Sequence, residues 1–222
     1  MDKVFVLIPA FNEEFSIGKV VKDLKKNGYE NILVVDDGSS DNTKEAAEKA
    51  GALVLRHVIN RGQGAALQTG MSYLKDKADV VIHFDADGQH DPRQISRFLK
   101  KIKRYDIVLG SRFLDSSSNV PLSKRVLLKA AIFVSFVMTG LRLTDTHNGF
   151  RALNKKALQR IYLNQDDMAH ATEILDQIKS NNLKYCEVPV TIKYTRYSMS
   201  KGQSLLNSVR ILLKNFYHKF IR

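Results

Sequence analysis

Val80-Val81-Ile82-His83-Phe84-Asp85-Ala86-Asp87-Gly88-Gln89 decides how this chain is read. An apolar run rich in β-branched residues reads as a buried strand, and it stops abruptly at two carboxylates one residue apart. At a strand end residues i and i+2 point the same way, so Asp85 and Asp87 are expected to converge. Two bare carboxylates that close repel each other, and one would have to take up a proton unless a divalent cation sits with them. Oxygen ligands suit Mg²⁺ or Mn²⁺, ions that keep positions open for phosphate oxygens. The residues alone leave a plainer reading open, a strand-ending turn whose aspartates cap a helix beginning near Pro92.

Outward from that stretch the first half of the chain alternates strand and helix patterns. Strands are predicted at residues 4–8, 32–35, 53–56 and 107–109. Helices are predicted at 14–26, 42–50 and 65–74, with another running from an Asp91 cap to about 103. This rhythm implies an α/β fold, a mostly parallel Rossmann-like sheet flanked by helices. Ligands of such sheets sit beyond the carboxyl ends of the strands, so the chemistry should lie at the strand exits.

The exits are where the unusual residues fall. The first, Pro9-Ala10-Phe11-Asn12-Glu13, has no glycine fingerprint, which argues strongly against a dinucleotide-binding Rossmann enzyme. The second, Asp36-Asp37-Gly38-Ser39-Ser40-Asp41, offers acceptors for a base N–H and for ribose hydroxyls, and a cap for the next helix from Ser40, Asp41 or Asn42. The third, His57 to Ala65, places Gly62 and Gly64 at a helix start, where backbone can approach an anion; a plain loop is the alternative. Gly110-Ser111-Arg112 puts an arginine where it can meet phosphate, or form an ion pair.

Bulk properties narrow the partners. At 222 residues the chain suits one sizeable α/β domain, and 44% hydrophobic with 26% charged residues is ordinary for a globular protein. The net charge of +12 is not, and it calls for an anionic partner: nucleic acid, sugar nucleotide or acidic lipid. Neither residues 116–144 nor 188–222 contain Asp or Glu, which points to one basic face. The single Cys186 excludes an intrachain disulfide and fits a reducing compartment. No signal peptide is predicted, and the apolar run at 130–141 is shorter than the ~20 residues a spanning helix needs.

Taken together, the five exits have the order and spacing of family 2 glycosyltransferases, and the chain most resembles their dolichol-phosphate mannose synthase branch over nearly its whole length. Asp145-Thr146-x-Asn148-Gly149-Phe150-Arg151 is similar to that branch's Asp-Thr-x-x-Gly-Phe-Arg, and Glu187-Val188-Pro189-Val190 to its late strand. Arg125, thirteen residues after Arg112, matches a family arginine near the phosphates. One segment departs: Arg196-Tyr197-Ser198-Met199-Ser200-Lys201 is a residue shorter than the branch pattern and lacks its glycine.

The resemblance implies a GT-A fold and inverting transfer of a hexose from a nucleotide sugar, UDP- or GDP-linked. It implies donor contacts from Pro9, Ala10, Asn12, Glu13, Asp37, Gly64, Asp85, Ala86 and Asp87. It further implies Mg²⁺ or Mn²⁺ on Asp85, Asp87 and Gln89, with Asp87, Arg112 and Arg125 catalytic and Arg125 and Lys201 meeting the acceptor phosphate.

The acceptor divides the readings. A lipid phosphate is largely ionised at neutral pH, with a second pKa near ~6, and can attack unaided. A glycan or other hydroxyl acceptor, the rival reading, needs a carboxylate base. Glu173 is the candidate, set against a structural role as an acid at a helix start; His170 reads as structural. Leu205, Leu206, Val209, Leu212, Leu213, Phe216 and Phe220 share one helical face, with Arg210, Lys214, His218 and Lys219 on others or at its borders. That is the pattern of a helix lying in an anionic membrane surface, and residues 126–143, apolar nearly all round, suit burial or an interface.

The expected organisation is therefore a glycosyltransferase domain at 1–202 and an amphipathic helix at 203–222. The protein would act on polyprenyl phosphate, peripherally on the cytoplasmic membrane face, with a small membrane-anchoring partner left open. A nucleotidyltransferase would also clamp phosphates with metal, but would release pyrophosphate. A nucleic-acid-binding module is a further rival, but it leaves the aspartate clusters unused and is not the expected role.

Overall fold

Side chains alternate across every central strand, and the two sets of apolar residues they produce define two layers of helices. The computed structural model describes residues 2–114, 132, 136–137, 139–146, 148–167 and 169–193, to which every structural statement below refers. In chain order they form β1 (Val4–Ala10), α1 (Ile17–Lys26), β2 (Ile32–Asp36), α2 (Thr43–Lys49), β3 (Leu53–Arg56), α3 (Gln63–Leu74) and β4 (Val80–His83). A 3₁₀ turn at Pro92–Gln94 leads into α4 (Ile95–Ile102), followed by β5 (Ile107–Ser111), β6 (Arg151–Asn154), α5 (Lys155–Arg160), α6 (His170–Ser180) and β7 (Tyr185–Pro189).

The strands form one sheet in the order β3-β2-β1-β4-β6-β5-β7. All neighbouring pairs are parallel except those of β6, which runs antiparallel between β4 and β5. Val6, Ile8, Ile32, Val34, Val80, Ile82 and Val108 face one side, under α1, α2 and α4. Leu7, Leu33, Val35, Val81, Ile107 and Leu109 face the other, under α3, α5 and α6. Each such Leu or Ile, wholly removed from water, contributes about 2 kcal/mol, so the core is built mainly from these alternating sets.

Some boundaries move. α1 begins at Ile17 rather than 14, because the Glu13 carbonyl accepts from the amides of Ser16 and Ile17 and turns the chain first. α2 is capped by Asp41, whose Oδ1 accepts from Thr43 N at 3.0 Å. Asp91 caps the 3₁₀ turn through Arg93 N. β4 stops at His83, so Asp85 and Asp87 meet in a turn and not on the strand itself. Arg125, Lys201, the 196–201 loop, the 202/203 boundary and the helix at 203–222 lie outside the described residues, as does most of 126–143. Among the described residues, no helix is long and apolar enough to cross a membrane.

Candidate active site

The exits of β1, β2 and β4 and the start of α3 enclose a cleft of about 430 Å³. Pro9, Ala10, Glu13, Asp37, Asp85, Ala86 and Asp87 line it. Phe11, 44% exposed, Gln63 and Asp167 also line it, although nothing in their local sequence marked them.

Two loops are stapled together at the first wall. Asn12, held at φ 54°, donates its N–H to Ser39 Oγ at 2.9 Å and accepts from Ser40 N at 2.9 Å. Glu13 N–H donates to Thr43 Oγ1 at 2.7 Å, and Ser16 Oγ donates to its carboxylate. Asn12 therefore shapes the wall, while Glu13 reaches the cleft. Asp37, 2% exposed, organises the next loop: Oδ1 accepts from Arg61 N at 3.0 Å and Oδ2 from Gly62 N at 2.6 Å. His57 Nδ1 lies 2.6 Å from Asp37 Oδ1, while its Nε2 meets Thr69 Oγ1 at 2.8 Å. A carboxylate has about four acceptor positions, and three of those of Asp37 are engaged by these groups.

Gly62 and Gly64 do allow a close approach, but of another backbone. A Cβ on Gly62 would stand 2.5 Å from Asp166 O, and one on Gly64 2.0 Å from Gln165 O. Ala65 N–H donates to Asp166 O at 3.1 Å, and Arg61 pairs with Asp166 at 3.2 Å. Gly64, expected as a donor contact, lies beneath the 165–167 loop, and Gly62 and Gln63 line the cleft.

At the β4 exit, Asp85 N–H donates to His90 Nδ1 at 3.3 Å, and His90 Nε2 lies 3.2 Å from Asp85 Oδ2. Burial pushes His90 down to about 4, so it is neutral at pH 7. Gln63 Nε2 donates to Asp85 Oδ1 at 3.4 Å. Asp87 accepts from Gln89 twice, from its N–H at 3.0 Å and from Nε2 at 2.7 Å. Gln89, expected as a metal ligand, here orients Asp87 through its amide nitrogen.

Desolvation raises Asp85 to about 6, against the pull of Arg151 and Arg112, with Glu13 raising it further. Asp87 is raised too, by burial and by the charge of Asp85. Both carboxyl groups line the cleft, and the charge of Asp85 makes Asp87 harder to ionise. Gly149 packs directly on Asp85. Beside it Arg151, 2% exposed, is pushed down to about 10 by burial while Asp85 and Asp145 hold it up. Both ring nitrogens of His83, Arg151 Nη1 and Asn148 Nδ2 are buried with no hydrogen-bond partner.

Arg112 is fixed by Asp145, with Nε to Oδ2 at 2.6 Å and Nη2 to Oδ1 at 2.7 Å. Glu187 of β7 in turn accepts from Thr144 N at 2.9 Å, Thr144 Oγ1 at 3.0 Å and Asp145 N at 3.1 Å. The late-strand motif thus has a task the sequence did not disclose, anchoring the loop that orients Arg112. Glu173 is also engaged: it accepts from Asn164 N at 3.0 Å and Gln165 N at 3.0 Å. Of the two roles expected for it, base or structural acid, these bonds supply the second: it ties down the loop that covers the glycines. His170, 3% exposed and 2.8 Å from Asp167 O through Nδ1, is structural as expected.

The model of glycosyl transferase family 2 matches residues 5–162. The chain belongs to this family. It is 34% identical to the UDP-N-acetylglucosamine–dolichyl-phosphate N-acetylglucosaminyltransferase of Methanococcus voltae, over 95% of this chain and 94% of that one. It is 31% identical to the undecaprenyl-phosphate mannosyltransferase of Micrococcus luteus, over 94% and 93%. The fold matches that of glucosyl-3-phosphoglycerate synthase from Mycobacterium tuberculosis, solved with Mn²⁺ and UDP-glucose, at a TM-score of 0.72 and 18% identity over 97% of this chain and 77% of that one. The expected GT-A architecture and the polyprenyl-phosphate branch of the family are thereby borne out.

Proposed function

We propose that the enzyme moves a hexose from a nucleoside-diphosphate sugar to a polyprenyl phosphate, with inversion and with a divalent metal, at the cytoplasmic face of a membrane. One observation carries this most: relatives aligned over more than nine-tenths of both chains are named for dolichyl-phosphate and undecaprenyl-phosphate acceptors. The position of Glu173 favours the same side, since a phosphate acceptor needs no carboxylate base.

The residues fit a divalent cation. Asp85 and Asp87 offer hard oxygen donors in the cleft, and the charge of Asp85 that raises Asp87 is what a cation relieves. Gln89 holds Asp87 toward that position, and Gln63 and His90 hold Asp85. A bound Mg²⁺ or Mn²⁺ supplies positive charge to the diphosphate. Glu13 and Asp37 present acceptors to the nucleoside from the cleft wall, and Phe11 presents an apolar ring. Arg112, oriented by Asp145, supplies fixed charge for the leaving diphosphate; Arg125 and Lys201 are assigned to phosphate by the family pattern.

The test is a panel of UDP- and GDP-sugars with Mg²⁺ or Mn²⁺, with and without a short polyprenyl phosphate, scored by nucleoside diphosphate release. Release stimulated by the lipid phosphate with one donor supports the proposal. Stimulation by free glycans alone overturns it in favour of a hydroxyl acceptor.

A further inference from the structure

α1 and α4 carry a concentration of exposed cations, although α2 beside them adds Glu45 and Glu48, and α5 on the opposite side adds Lys155, Lys156 and Arg160. Between Asp91 and Asp106 the chain has no acidic residue, and α4 with its following turn exposes Arg97, Lys100, Lys101 and Arg104. These four are spaced three and four apart, so they share one side of the helix and repel one another, an arrangement that weakens the helix unless something anionic lies against it. α1, on the same side of the sheet, exposes Lys19, Lys22 and Lys26. On the opposite side α6 mixes Glu173 and Asp176 with Lys179.

A second groove, of about 480 Å³, opens between α1 and the 3₁₀ turn leading into α4. Phe15, 83% exposed, Lys19, Asp23, Pro92 and Lys193 line it. Asp87 is the only described residue that lines both this groove and the donor cleft.

Cations along two helices with an exposed aromatic ring beside them match the chemistry of an acidic bilayer surface. We propose that the face formed by α1 and α4 docks on an anionic lipid bilayer, with Phe15 entering the interface and the groove beside it leading from the lipid to Asp87. This rests on the polyprenyl-phosphate reading and adds a direction: the donor enters by the cleft, the lipid-borne acceptor by the groove.

The test uses the full chain, the combined variant Lys22→Glu, Lys100→Glu, Lys101→Glu, and Phe15→Ser. Binding is read by co-sedimentation with phosphatidylcholine vesicles with and without phosphatidylglycerol. Wild type is expected to prefer acidic vesicles and to be released by salt. The charge-reversed variant should bind them roughly a hundredfold more weakly, since each lysine near an acidic leaflet contributes severalfold. Phe15→Ser should weaken the binding that survives high salt. The charge-reversed variant should turn over a water-soluble short-chain polyprenyl phosphate as wild type does, and lose turnover of a long-chain acceptor held in vesicles. Wild-type vesicle binding by the charge-reversed variant overturns the proposal, as does indifference of the wild type to acidic lipid. Failure of the polyprenyl-phosphate reading would show separately, as no turnover of the short acceptor by either protein.

Discussion

Gly149 lies so close to Asp85 that no side chain fits between them: a Cβ built there would stand 2.6 Å from Oδ1 and 2.8 Å from Oδ2. Gly149→Ala is therefore expected to push the carboxylate out of place while the sheet stays intact. Displacements of about 1 Å at reacting groups cost on the order of a hundredfold in rate. Steady-state kinetics beside a thermal melt will check this; a large fall in melting temperature at full specific activity would contradict it.

Asp145 and Arg112 form a nearly buried ion pair, with side chains 1% and 13% exposed. Asp145→Ala is expected to destabilise the fold by about 3–5 kcal/mol, as removal of one partner of a buried pair does. Glu187→Gln keeps the shape but weakens the anchor beneath that pair. Its expected mark is slower turnover at near-normal stability, read by comparing kcat with urea unfolding.

Glu173→Gln separates a base from a loop anchor. As an anchor that accepts from Asn164 and Gln165, Glu173 should cost about 1–2 kcal/mol on substitution and leave turnover within roughly tenfold of wild type. Complete loss of transfer with donor binding retained would restore the base, and with it a hydroxyl acceptor.

Asp87→Asn or excess chelator is expected to lower transfer by on the order of a hundredfold or more, the scale of losing one preorganised group for transition-state charge. Isothermal titration with Mn²⁺ provides the independent reading: the variant should bind it more weakly than the wild type.

Gly64→Ala would drive a methyl group into Gln165 O, 2.0 Å away. The loop must shift or the helix must, at a cost of about 1–3 kcal/mol. Chemical denaturation will report that cost, and donor affinity will fall with it because Asp167, beside this loop, lines the cleft.

What the sequence disclosed follows the range of the interactions involved. Val80 to Ile82 and the other β-branched runs announce strands because burial and alternation are local patterns, and Asp85 and Asp87 announce themselves by spacing. Arg151 to Asn154 do not read as a strand. The segment is four residues long, and it is a strand because Arg151 pairs with both His83 and Leu109. The glycines of the third exit showed that something comes close, not that the visitor is a loop a hundred residues later. Glu173 illustrates the same limit, since its partners at 164 and 165 lie in a segment with no regular structure. Arg112 was legible as a phosphate-facing cation, whereas its dependence on Asp145 and Glu187 spans 33 and 42 residues of chain.

The insertion of β6 between β4 and β5 also fixes an order of events during synthesis. A nascent chain that has emerged only as far as β5 can assemble β3, β2, β1 and β4, but the outer edge of β4 then lacks its neighbour. Bare edges recruit other chains, and the ribosome must add some forty more residues, at ~5–20 each second, before the missing strand arrives. For those seconds the half-built enzyme is a substrate for chaperones, and slowing translation after residue 111 should raise its aggregation.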